Sequence, residues 1–191
     1  LAINQLGYGT NAKMMVGFSS RLWYGLGSNG ASYSDLPNHQ ATWETNPING
    51  TDTRGVLTDY SSGIRGANLK STNVQAEVSR FLQDLDLVYP GTRAAATVQK
   101  GKYVAFLEHW PSNPLAKGSY TCYTPGQFTT IAGHEGKSVG NLYFAGEHAN
   151  SFYVWQGFME GACLSGIDAA HEILQAIKGG HLSCASADCG L

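Results

Sequence analysis

The spacing of apolar and polar positions changes period several times along this chain, and each change marks an element. Lys13-Met14-Met15-Val16-Gly17-Phe18 is a strand-like run, set off by Gly7-Tyr8-Gly9 before it and Arg21-Leu22-Trp23 after it. A loop rich in Gly, Ser and Asn follows from Gly25 to Asn38. Short strands are predicted over Ala41 to Glu44 and Gly55 to Tyr60. The turn-prone Asn46-Pro47-Ile48-Asn49-Gly50 separates them, which predicts an antiparallel hairpin. From Thr72 to Val88 the period lengthens. Val74, Val78, Phe81, Leu82 and Leu85 recur at three- and four-residue steps, the mark of an amphipathic helix. Ser71, Thr72 or Asn73 can cap its start and Pro90-Gly91 closes it. A strand from Lys102 to His109 leads into the loop Trp110 to Pro114, and a final helix runs from Gln156 to Ile177, ending at Lys178-Gly179-Gly180.

The most informative segment lies near the end. Asn141-Leu142-Tyr143-Phe144-Ala145-Gly146-Glu147-His148 reads as a short buried strand followed by a Gly-Glu turn. Gly157-Phe158-Met159-Glu160-Gly161-Ala162 reads as helical first turns with little bulk. Strand ends and helix N-termini offer free N–H groups and the positive end of a dipole, and glycine lets a large anionic ligand come close. The order of elements does not make a complete doubly wound nucleotide fold, which needs alternating strand–helix units. Gly25-Leu26-Gly27-Ser28-Asn29-Gly30 has the spacing of a dinucleotide turn, but it follows Trp23-Tyr24 and opens no helix, so it reads as a loop.

Composition narrows the class. The 191 residues suffice for one domain or parts of two, and with 42% hydrophobic residues a core is possible, yet no run is long enough to span a bilayer. Charged residues make up 14% and the net charge is -2, which argues against a nucleic-acid binder. The 24 glycines point to many special backbone positions. Low charge with abundant Gly, Ser, Thr and Asn suits an exported protein. Cys122 and Cys163 read as buried thiols, whereas Cys184 and Cys189 either close a small disulfide loop or belong to a disordered end. No closed metal site is expected, since that needs four ligands. The chain opens on Leu1 with no signal-like region and reads as a fragment, a processed subunit or a truncated chain.

The Gly146-Glu147-His148 turn and the Gly157-to-Ala162 helix start resemble the C-terminal FAD-binding signature of the flavin-containing amine oxidases, the family of monoamine and polyamine oxidases. The resemblance covers most of the chain. Lys13, upstream of Trp23, resembles the family lysine that holds a water near flavin N5. Trp110 followed by Gly118-Ser119-Tyr120 resembles the tryptophan and Gly-x-Tyr segment beside the isoalloxazine ring. Two departures stand out. Ser119 occupies the place where covalent members carry a flavin-linked cysteine, so the resemblance implies non-covalent FAD; Cys122, three residues on, is not assigned the linkage. Tyr120 matches one member of the aromatic pair flanking the amine, but the other is Phe158 rather than tyrosine. The connector Ala149 to Gln156 is slightly longer than in those members, which leaves the alignment of Phe152, Tyr153 and Trp155 open.

The resemblance implies an α+β fold. A mixed-sheet substrate domain (residues 1–135) is joined to the C-terminal strand and helix of a two-domain, Rossmann-like FAD-binding oxidase fold (136–180), with a tail over 181–191. It assigns Lys13, Tyr120 and Phe158 to catalysis. Trp110, Gly146, Glu147, His148, Trp155, Gly157, Phe158, Met159 and Ala162 fall to the cofactor, with the Met159 N–H a candidate donor to the flavin pyrimidine. Plainer readings stand beside these. Glu147 can be a capping or solvated carboxylate, and His148 a structural histidine. The small residues Gly157, Gly161, Ala162, Ser165, Gly166, Ala169 and Ala170 can serve close helix–sheet packing. Tyr120, Phe158 and Trp110 can be core aromatics. Lys13, flanked by Met14 and Val16, is either buried with partners or an exposed lysine at a strand edge.

The implied reaction is oxidation of a small-molecule amine at its α-carbon by hydride transfer to flavin, with dioxygen as acceptor and hydrogen peroxide released. The implied partner is the N-terminal half of the same oxidase. The alternatives are a non-catalytic fragment that completes an FAD site only with that half, and a related flavoenzyme such as an amino-acid oxidase or a carotenoid desaturase-like protein.

Overall fold

Strand β1 (Ala12–Phe18) forms where the sequence pattern predicts it, because its apolar positions alternate with positions that tolerate solvent. The computed structural model describes residues 1–45, 52–152 and 154–180. They form two compact units, Gly9–Ser119 and Leu1–Tyr8 with the described residues from Tyr120 to Gly180. The predicted turn 46–50, Tyr153 and the Cys184/Cys189 tail lie outside the described residues.

The unit over 9–119 is built on an antiparallel sheet of order β2-β3-β4-β1-β7, formed by β1, β2 (Ser32–Tyr33), β3 (Ala41–Glu44), β4 (Gly55–Ser61) and β7 (Ala105–His109). The expected hairpin is the β3–β4 pair, with Thr42 opposite Asp59. Two expectations need correction. The Gly25–Asn38 loop contains β2, a two-residue edge strand held by Thr42 and Ala41. The single strand over Lys102–His109 is two, because the chain changes partner at Val104. Lys102–Tyr103 (β6) pairs with Val98–Gln99 (β5), and β7 pairs with β1. The tight turn between β5 and β6 has positive φ at both Lys100 and Gly101, matching the right-handed twist of a two-residue hairpin.

Helix α1 (Val74–Val88) starts at Asn73, whose side chain accepts a hydrogen bond from the Ala76 N–H. Its Val78, Phe81, Leu82 and Leu85 are buried in one cluster with Met14, Val16 and Phe18 of β1, Leu57 of β4 and Leu107 of β7. Trp23 is fully buried beside Gly55, where a Cβ would come within 2.6 Å of the indole ring. Glu44 accepts from the Trp23 indole N–H at 3.0 Å and pairs with Arg21. A second buried polar set joins His39, Asp59 and Arg65. His39 Nδ1 lies 3.3 Å from Asp59 and its Nε2 2.8 Å from the Ser32 hydroxyl, while Arg65 donates to Asp59 at 3.1 Å. A buried carboxylate bound on several sides avoids the large cost of an unpaired internal charge.

In the other unit, the segment around Thr121 bridges to Tyr8, and the Cys122 N–H donates to the Gly7 carbonyl at 3.0 Å. Gly7 is required there, since a Cβ would sit 2.0 Å from the Cys122 carbonyl oxygen. Thr121 and Tyr123 are buried and Cys122 between them is exposed, as the two-residue alternation of an extended chain dictates. Cys122 and Cys163 are therefore both exposed thiols, not buried ones. The expected strand over 141–148 is not formed. Only Val139 and Leu142 bridge, because no neighbouring strand among the described residues offers Tyr143-Phe144-Ala145 a ladder. Helix α2 spans Met159–Lys178, starting three residues later than expected because Gly157 adopts φ +82°. No helix among the described residues is long and apolar enough to cross a membrane.

Glu135 is the buried hub of this unit. It accepts hydrogen bonds from the Tyr123 hydroxyl, the Ser151 hydroxyl at 2.5 Å and the His134 N–H at 3.1 Å, and Gln156 donates to the Tyr123 oxygen at 3.2 Å. Burial pushes the Glu135 carboxyl up, but hydrogen bonds from Ser151, Tyr123 and the backbone outweigh it and hold the group below the usual carboxylate range. Burial, then the neighbouring carboxylate, pushes the Tyr123 phenol up.

Two outcomes follow. Phe81→Ala should lower unfolding free energy by about 3–5 kcal/mol, read as a lower urea midpoint. Leu87→Ala, on the exposed side of the same helix, should change it by no more than about 0.5 kcal/mol. The depressed folded-state pKa of Glu135 makes its contribution present above the unfolded carboxylate pKa and lost as pH falls through the folded one. Glu135→Gln should therefore flatten the loss of stability in a urea-midpoint series between about pH 7 and 3.

Candidate active site

The Glu147 carboxylate ties together two stretches that carry aromatic rings. One oxygen accepts from both the N–H and the hydroxyl of Thr121, each at 2.9 Å. The other accepts from the Gly157 N–H at 2.7 Å. Thr121 follows Tyr120 and Gly157 precedes Phe158, so one carboxylate fixes the backbone beside both rings. A Cβ on Gly157 would stand 3.4 Å from the Tyr120 ring. Gly146, which presents Glu147, has φ +130° and exchanges two hydrogen bonds with Ser165 of α2, at 3.0 and 2.8 Å. His148 is half-buried against Gly146, within 2.5 Å of where a Cβ there would be.

The start of α2 is laid open. Phe158 is its N-cap residue, in extended conformation, and no side chain caps the helix, which leaves unpaired N–H groups at the positive end of the dipole. Trp155 stands edge-on to Phe158, ring centroids 6.1 Å apart. Phe158 is 60% and Met159 87% exposed. Gly161 is buried one turn in, because a Cβ would meet the Trp155 carbonyl oxygen at 2.2 Å, and Ala162 is half-buried beside it. An uncapped helix end ringed by aromatic side chains and glycines suits a large, flat, anionic ligand. Of the small residues on α2, Ser165 holds the Gly146 turn and Gly161 lies against the Trp155 backbone.

The structure thus gathers Tyr120, Gly146, Glu147, His148, Trp155, Gly157, Phe158, Met159 and Ala162 in one unit. Lys13 and Trp110 belong to the other, over 9–119. Lys13 is neither buried nor at a strand edge. It lies on the central strand between Tyr60 and Glu108, exposed, with its ammonium 5.9 Å from the ring centroids of Trp43 and Tyr60. Trp110 opens a single 3-10 turn, Trp110–Ser112. The Ser119 hydroxyl donates to the Asn11 side chain at 2.7 Å and accepts from the Asn11 N–H at 3.3 Å. Sequence reasoning named Ser165 only for helix packing, and missed Thr121 and the Glu135–Tyr123–Gln156 set. Thr121 borders the Gly-Ser-Tyr segment, which is a usable signal, while no local pattern marks Glu135.

Residues 1–174 match the family described as flavin containing amine oxidoreductase. The chain is 24% identical over 173 residues to an L-amino-acid oxidase of Pseudechis australis, covering 90% of this chain and 32% of that protein. It is 27% identical over 174 residues to an L-amino-acid oxidase of Siganus canaliculatus, with 90% and 32% covered. In fold it is similar to cyclohexylamine oxidase from Brevibacterium oxydans IH-35A (TM-score 0.71, 22% identity), covering 92% of this chain and 37% of that one. The chain spans about a third of the length of the curated relatives it matches. With a match over nearly its whole length, this chain belongs to the flavin-containing amine oxidoreductase family.

Proposed function

We propose that this chain contributes the amine-facing and part of the flavin-binding surface of an oxidase that converts an amine or amino acid to an imine. The observation that carries the proposal is the open N-terminus of α2, with Tyr120 and Phe158 on backbone fixed by Glu147. When bound, FAD supplies the acceptor for a hydride from the substrate α-carbon and passes the electrons to dioxygen, giving hydrogen peroxide.

This chain's residues do the rest. The N–H groups at the start of α2 would hold the negatively charged cofactor. Tyr120 and Phe158 form the walls that align the amine and exclude water, and their π-faces also attract a protonated amine. Lys13 would hold a water for the reaction, with its ammonium 5.9 Å from the ring centroids of Trp43 and Tyr60. Serine at position 119 cannot form a thioether, and its hydroxyl is engaged with Asn11, so the cofactor is held without a covalent bond.

A second reading rests on coverage. Because the chain spans about a third of its relatives, the FAD site is complete only together with an N-terminal flavin-binding segment, on the same or another polypeptide.

Two measurements test these readings. Acid precipitation of the flavin-loaded protein should release all of its flavin into the supernatant; flavin left on the polypeptide would refute non-covalent binding. Lys13→Met should lower the rate of flavin reduction by about 100-fold or more while flavin content stays the same. An unchanged rate in anaerobic stopped flow would remove Lys13 from the site. Flavin-loaded protein that oxidises neither amines nor amino acids would sink the activity itself.

A further inference from the structure

A second buried carboxylate braces the same two stretches that Glu147 joins. Glu135 is 4% exposed and receives the Tyr123 hydroxyl from the stretch after Tyr120, and the Ser151 hydroxyl from the connector that leads to Phe158. Gln156, also 4% exposed, closes the link by donating to the Tyr123 oxygen at 3.2 Å. The next residue is Gly157, whose N–H is bound by Glu147. Two carboxylates thus cross-link one pair of chain segments, Thr121 to Gly157 through Glu147 and Tyr123 to Ser151 through Glu135, with Gln156 bonded directly to Tyr123.

We propose that Glu135, acting through Tyr123 and Gln156, is a positioning residue that sets the Phe158–Met159 end of α2 for the flavin. This rests on the flavin reading above. Within the connector Phe152 has φ +61°, a conformation that non-glycine residues adopt only when the surroundings impose it. The Gln156 side-chain carbonyl has no partner, so this amide is held by its donor side alone. Removing the Glu135 charge releases Tyr123 and Ser151 together. Gly157 then keeps only its bond to Glu147, and the helix start loses its fixed place. An ionised acceptor makes these bonds stronger than neutral ones.

The test is a double-mutant cycle on the flavin-binding protein, purified with any polypeptide it requires, using FAD as the probe and quenching of flavin fluorescence as the readout. Glu135→Gln and Tyr123→Phe should each weaken FAD binding by about tenfold, as expected for losing one charge-assisted hydrogen bond at the site. The double variant should be no weaker than the worse single one, because both break one link. Ile131→Val, which thins the core of the same unit without removing a hydrogen-bonding group, controls for stability. The proposal is overturned if the variants bind FAD as the unaltered protein does. It is equally overturned if Ile131→Val, at matched melting temperature, loses as much affinity. An unaltered protein that binds no FAD overturns the flavin reading as well as this one.

Discussion

The organisation of the candidate site depends on one carboxylate accepting from opposite sides. Glu147 can receive three hydrogen bonds because an ionised carboxylate offers about four lone-pair directions and no donor. Thr121 supplies two of its partners and Gly157 the third. The flanking glycines follow from this. Gly146 must turn sharply to aim the side chain inward, and Gly157 must take a left-handed conformation to point its N–H back. Ser165 then holds the turn against the helix. A motif that reads as a ligand-binding signature is, at the level of contacts inside the chain, a brace that leaves the helix end free for a ligand.

The sheet unit solves a related problem differently. Its interior carries charge as well as hydrocarbon, with Asp59 fully buried, Glu44 nearly so, and each facing an arginine. Such pairs add less stability than hydrocarbon of the same volume, but breaking one leaves an uncompensated charge inside. They fix which way β3, β4 and the Gly63–Asn68 turn of helix face one another. The outward side of the same strands carries Lys13, its ammonium 5.9 Å from the ring centroids of Trp43 and Tyr60.

How far the sequence could be read depended on whether the cause was local. The period of Val74, Val78, Phe81, Leu82 and Leu85 announced α1, since a helix satisfies its own backbone. The alternation in β1 and the β3–β4 hairpin were legible for the same kind of reason. The Lys102–His109 run misled because a strand's limits are set by its neighbours, and its neighbour changes at Val104. Tyr143-Phe144-Ala145 has strand-like composition but finds no ladder among the described residues. At the site, the Gly-Glu turn and glycine-spaced helix start were readable as a motif. The Glu135 network was not, because a buried carboxylate in Gly133-His134-Glu135-Gly136 looks the same in sequence as a surface one.

One unit is stitched from the two ends of the described chain, and that bears on how the protein folds. Gly7 and Gln127, joined by a hydrogen bond, are 120 residues apart in sequence. Closing so long a loop carries an entropic cost that must be met before the contact gives anything back. The contiguous stretch over 9–119 closes loops nearly as long, since β1 pairs with β7 from Ala12 opposite His109 and the Ser119 hydroxyl bonds Asn11. Residues 1–8 must wait, unpaired, until the Thr121 region emerges from the ribosome. In both units, then, backbone near residues 7–16 is completed only by residues beyond 104, so neither the central sheet nor the surface next to the proposed cofactor site can close on its earlier part alone.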